Sequence, residues 1–215
     1  MDEDIINSSL IIRNKLKQVA DFEENPIDDS LSPIKAFYGS DNISLIILGQ
    51  DPTIKNISGR SKIEYTLNLD KNGALKKYIG EICKGLGFTI ENVYATNIFK
   101  YFYKIPPAKT MNVLQKHLPE NLNLVRKELS NFPDAIVISL GEPVLQLLAG
   151  TDRKVREFWD YNNLTKQTNG NYRFCRKKDN LLNRDFFPFP HQPSIRKVFY
   201  REHLSQYINY VKNQA

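Results

Sequence analysis

Apolar residues fall along this chain in two patterns. Mainly apolar runs occur at residues 43–49, 93–97, 135–140 and 186–190, each short and without in–out alternation. Such runs predict strands buried on both faces of a parallel sheet. Between them, apolar residues recur at helical spacing. Ile5, Ile6, Leu10, Ile11, Leu16 and Val19 predict an amphipathic helix over residues 1–20. Leu75, Tyr78, Ile79, Ile82, Cys83 and Leu86 predict a second, closed by Gly85 and Gly87. A third is expected over 118–132 with Pro119 in its first turn, and a short one carries Val144, Leu145, Leu147 and Leu148. The last, over about 198–211, turns Leu204, Tyr207, Ile208 and Val211 inward.

Strands alternating with helices at crossover-sized intervals define an α/β chain. The expected fold is a three-layer α/β/α sandwich with a central, mainly parallel four-stranded sheet. Residues 23–33 read as a surface loop, 53–62 as a polar loop and 65–69 as an extended piece. No linker rich in Gly, Ser or Pro and no internal repeat divides the chain. One domain over 1–215 is expected, with 1–34 packing on it as a helix and loop.

Composition narrows the classes. Eleven per cent aromatic and 41% hydrophobic residues fit a packed core rather than a disordered chain. The net charge of +6 is a mild basic bias, compatible with a polyanion partner without identifying one. The cluster Arg173, Arg176, Lys177 and Lys178 reads as solvated surface. Cys83 and Cys175, the two cysteines, are too few for a disulfide framework or a four-thiolate cluster, and Cys83 fits a core position. The acidic start Met1-Asp2-Glu3-Asp4 has no long apolar run after it, and no stretch reaches bilayer length. A cytoplasmic monomer without metal, cofactor or membrane contact is expected.

Chemistry gathers where strands end. The first core run stops at Gly49-Gln50-Asp51-Pro52, the second at Asn97, and the fourth leads into His191-Gln192-Pro193-Ser194. If these strands run parallel, a carboxylate, an amide and an imidazole meet at the carboxyl edge of the sheet, where open α/β folds bind ligands. Plain readings exist for each. Asp51 can cap a turn, Asn97 can satisfy loop backbone, and His191 between prolines can be an ordinary loop residue.

Together these stretches resemble the uracil-DNA glycosylase superfamily. Gly49-Gln50-Asp51-Pro52 is similar to its first motif, and Val93-Tyr94-Ala95-Thr96-Asn97 followed by Lys100 to the strand whose asparagine reads the base. Ala135 to Gly150 is similar to its hydrophobic strand, Leu-Gly turn and helix, and Pro188 to Ser194 to its closing His-Pro-Ser motif. The resemblance implies a monofunctional DNA glycosylase in base excision repair, cleaving the N-glycosidic bond of a nucleotide rotated out of single- or double-stranded DNA. It implies Asp51 and His191 as catalytic groups, with Tyr65 stacking on the base, Asn97 pairing with its edge, and Gln50 beside it. Ser194 is expected on a phosphate and Ile195 as a wedge in the base stack. No lysine in these motifs is placed as a Schiff-base nucleophile, so strand nicking is not expected.

Three departures matter. Thr53 stands where the family's classical branch has a tyrosine that crowds thymine, so a broader base range is open. Ile54 replaces the histidine expected next. Gln192 is either inserted after His191 or takes its place. Two cysteines cannot supply the iron–sulfur cluster of the thermophilic branch. The alternative readings are a non-catalytic nucleic-acid-binding module that senses altered bases, and a hydrolase of free nucleosides or nucleotides. The basic-aromatic stretch 100–109, read as a rim for a long substrate, speaks against the second.

Overall fold

A computed structural model of the protein describes residues 2–18, 23–40 and 42–214. Five strands form one sheet: β1 (Phe37–Tyr38), β2 (Leu45–Gly49), β3 (Val93–Asn97), β4 (Ile136–Leu140) and β5 (Phe187–Phe189), in the order β1-β3-β2-β4-β5. The four core strands are parallel. The expected count of four misses β1, a two-residue antiparallel edge strand paired to β3 through Phe37↔Ala95 and Tyr38↔Tyr94. So short a strand leaves no periodicity to read.

The central strands carry no polar face because they have none to offer. Leu45, Ile46, Ile47 and Leu48 are wholly buried, as are Val93, Tyr94 and Ala95. Helices cover both sides. α1 (Asp2–Leu16) packs with α4 (Met111–Leu129), and α4 with α5 (Glu142–Ala149). α3 (Ala74–Leu86) packs with α8 (Val198–Gln214). Shorter pieces are α2 (Ile57–Arg60), α6 (Val155–Phe158) and α7 (Gln192–Ile195).

Several expectations are corrected in detail. The buried face of α1 is Ile5, Ser9, Ile12 and Leu16, while Ile11 is exposed; Val19 lies outside the described residues. α4 starts seven residues before the expected boundary, at Met111 rather than 118, so Pro119 is inside it. Its inward face includes His117, Asn121 and Glu128, polar residues that mask the apolar repeat. α3 closes on Gly87 alone, in the left-handed region at φ 87°. Gly85 instead admits α8, since a side chain there would meet Ile208 Cγ2 at 2.6 Å. Past Tyr65 the extended piece becomes a tight turn, with Leu67 and Asn68 at φ 59° and 51°.

Only part of the stretch 100–109 can form a rim, since Lys104, Ile105 and Lys109 are its exposed side chains among the described residues. Lys100, Tyr101, Phe102 and Tyr103 are buried. The segment read as a surface loop covers them: Asp28 N–H donates to Phe102 O, Ile34 N–H to Lys100 O and Lys104 N–H to Pro26 O, each at 2.8 Å. Its objection to a small substrate keeps the basic residues Lys104 and Lys109 and loses the aromatic ones.

Trp159 joins the sheet to α8. Its indole N–H donates to Pro188 O at 2.9 Å, and the ring stacks on Tyr207 at 4.3 Å between centroids. Trp159→Ala is expected to cost about 3–5 kcal/mol through the cavity left behind. Urea denaturation followed by far-UV circular dichroism would measure it.

Candidate active site at the carboxyl edge of the sheet

The carboxyl ends of β3, β2, β4 and β5 present, in that spatial order, Asn97, Gln50-Asp51, Gly141 and Pro190-His191. β3 and β2 stay paired beyond their last ladder residues: Ile98 N–H donates to Gly49 O and Phe99 N–H to Gln50 O, both at 2.9 Å. Asn97 and Asp51 therefore stand on adjacent chains. Asp51 and His191 are two strand spacings apart, about 10 Å between backbones.

Gly49 is obligatory here. Asn97 Oδ1 lies where its side chain would be, so any Cβ would overlap the amide. That oxygen is buried and makes no hydrogen bond, an acceptor without a partner at the strand end. The Leu67 side chain packs on the same spot, 3.2 Å from the Gly49 Cβ position. Tyr65 is half-buried, and Lys35 Nζ lies 5.7 Å from its ring centroid. Leu67 carried no signal in the sequence, because its position depends on the left-handed turn.

Asp51 is partly exposed, and its Oδ2 accepts the Thr53 N–H at 2.8 Å. Desolvation by burial raises its pKa to about 6, against the lowering effects of the Thr53 bonds and the Arg60 charge. Thr53 is held in turn, its hydroxyl accepting the Tyr103 N–H at 2.8 Å. Arg60 is buried, donating to Ile54 O, Tyr103 O and Lys104 O at 3.1, 2.8 and 3.3 Å. The polar loop 53–62 is thereby clamped to residues 103–104, a brace that sequence reading missed.

Gln50 donates from Nε2 to the Met111 sulfur at 3.4 Å. His191 is exposed, but desolvation by its neighbours lowers its pKa below the usual 6.5, so its ring is neutral at pH 7. Tyr78 on α3 fixes the chain just before it, donating to Pro190 O at 3.1 Å. Gly141 lies against the same turn, its Cβ direction 3.2 Å from His191 Cβ. Gln192 opens α7 half-buried; Ser194 N–H donates to His191 O at 2.7 Å. Ile195 packs against the core, and the exposed apolar side chain of this segment is Val198.

Behind Asn97 lies a buried charge pair. Lys100 Nζ is 2.5 Å from Glu128 Oε1, and donates to Thr96 Oγ1 at 2.8 Å and to the Asn97 carbonyl. Glu128 Oε2 accepts from Tyr94 and Thr96 hydroxyls, both at 2.7 Å. Burial lowers the Lys100 pKa, and Glu128 opposes that shift. Among the described residues, no group of three or more His, Cys, Asp or Glu side chains could hold a metal ion, and no helix is long and apolar enough to cross a membrane.

An unpaired buried acceptor, a carboxylate with a raised pKa and an exposed imidazole thus stand along one edge of a mainly parallel α/β sheet. The family profile of the Uracil DNA glycosylase superfamily matches residues 36–212, which take in all five strands and both ends of this edge. The chain belongs to that superfamily. No curated protein matches it.

Glu128→Leu would leave the Lys100 ammonium buried without its counter-ion and is expected to cost about 3–5 kcal/mol. Adding Lys100→Met should recover much of that loss, and a double-mutant cycle in urea would measure the coupling.

Proposed function

We propose that the protein is a monofunctional DNA glycosylase that hydrolyses the N-glycosidic bond of a uracil or related altered base rotated out of DNA. The observation that carries this reading is the unpaired Asn97 Oδ1, buried over Gly49 on the chain next to Asp51. A buried acceptor without a partner is costly, and a ligand N–H that enters as the Leu67 side chain gives way relieves that cost. A uracil edge supplies N3–H to Oδ1 and takes the Asn97 amide N–H at O4.

Bond cleavage leaves positive charge on the sugar and negative charge on the base. Ionised Asp51 stabilises the first and accepts a proton from the attacking water, whose oxygen joins C1′. Neutral His191 donates a hydrogen bond to O2 as the uracil anion departs; the anion then takes a proton at N1 from solvent, and Asp51 releases to solvent the one it took from water. Leu67 walls the base beside Asn97, a place the resemblance gives to Tyr65. The small Thr53 leaves room near C5, which favours a base range wider than uracil. Ser194 and Gln192 meet the phosphate and the base rim; Val198 replaces Ile195 as the exposed wedge.

Oligonucleotides bearing a single uracil, a mismatched thymine or hypoxanthine, treated with protein and then alkali, test the reading. Asp51→Asn should lower excision about 10²–10⁴-fold. Strand cleavage unchanged in that variant, or none with any substrate, would sink the proposal; tight binding without cleavage would favour the base-sensing module.

The raised Asp51 pKa sets the pH dependence. Below about 6 the carboxyl holds its proton and excision falls, with the rate rising through that pH. Between 3.8 and about 6 the folded chain keeps a proton that the unfolded chain releases, so this group's contribution to stability declines as pH rises through that window. Asp51→Asn, which ends that loss, is expected to melt no lower than the parent at pH 7 by calorimetry.

A further inference from the structure

Two cavities continue from His191 along the outer side of α7 and the start of α8. The first, about 290 Å³, is bounded by Gly141, Pro190, His191 and Ser194 and closed by Lys197 and Tyr200. The second, about 410 Å³, shares Lys197 and Tyr200 and adds Arg156, Tyr161, Lys166 and Phe199. The two are neighbours with Lys197 and Tyr200 as their common wall, and together they form a grooved surface between His191 and the segment after α6.

Its chemistry alternates cation and ring. Arg156, Lys166 and Lys197 are exposed, and none is paired with a carboxylate among the described residues. The Glu142 carboxylate at the near end is occupied by Lys154 at 3.5 Å, leaving Glu202 as the acid of the far cavity. Tyr161 is the half-exposed ring, braced edge-on by Phe199 at 4.5 Å between centroids and 81°. Val198 stands at the lip, 57% exposed. Cations beside a partly exposed ring are the two elements by which proteins hold an unpaired nucleic-acid strand. A base inside a duplex has both faces covered by its neighbours and cannot lie on Tyr161.

We propose that this groove is a second nucleotide subsite, which seats the nucleotide next to the extruded one with its phosphates on Lys197 and Arg156 and its base on Tyr161. The proposal rests on the reading above that the edge at His191 receives an extruded nucleotide. Lesions whose neighbour on that side is unpaired, in a single strand or at a frayed end, become the better substrates.

Fluorescence anisotropy with an undamaged labelled single strand of about a dozen nucleotides, and with its duplex, tests the subsite without relying on excision. The full chain should bind the single strand about tenfold more tightly. Tyr161→Ala should lose about tenfold of that affinity while duplex binding moves less than about twofold, and Tyr161→Phe should retain it. Arg156→Ala with Lys197→Ala should flatten the salt dependence by about 1.4 in log–log slope. Equal affinity for single strand and duplex, or single-strand binding indifferent to Tyr161→Ala, overturns the subsite. Tyr161-dependent binding with no excision of any altered base leaves the subsite standing and removes the glycosylase reading; excision with Tyr161-independent binding does the reverse.

Discussion

The candidate site depends first on a pair of charges that never meet water. Lys100 and Glu128 are both fully buried, and together they bind the end of β3 to α4. Isolated charges at that depth would be prohibitive, so each exists only because the other does. The ammonium reaches back to the Asn97 carbonyl, and the carboxylate takes two hydroxyls from β3. A hydrophobic pair could fill the space but would hold neither. The strand end carrying the amide is therefore fixed by electrostatics, while its approach to β2 is permitted by the missing side chain of Gly49.

At Asp51 the same low polarity works against the fold. Burial makes the ionised form expensive, and Thr53 and Arg60 only partly compensate. Arg60 itself spends its donors on three backbone carbonyls rather than on the carboxylate. Asp51 thus keeps a charge that is poorly satisfied at neutral pH, the condition in which a group gains most by meeting a developing cation.

The sheet was legible because its strands are buried on both faces, which demands runs such as Leu45 to Leu48 with no polar interruption. Asp51, Asn97 and His191 were legible for a related reason, since polar groups stand out where such runs stop. What lay hidden depended on tertiary context. Polar His117 faces inward in the first turns of α4, which went unread, and Asn121 and Glu128 break the apolar repeat further along. Aromatic residues 101–103 looked like a binding rim because nothing in their order tells that residues 26–34 lie over them. Leu67 could not be found at all. Left-handed backbone is uncommon for leucine, and no pattern of polarity encodes it.

Trp159 is the chain's sole tryptophan, and it sits sandwiched between the last strand and the C-terminal helix, one residue's reach from the turn that carries His191. The fold thus carries an optical probe where the sheet meets the C-terminal helix. Its emission will report the docking of that helix without any label, and a ligand that tightens or loosens this end will be visible by its colour alone.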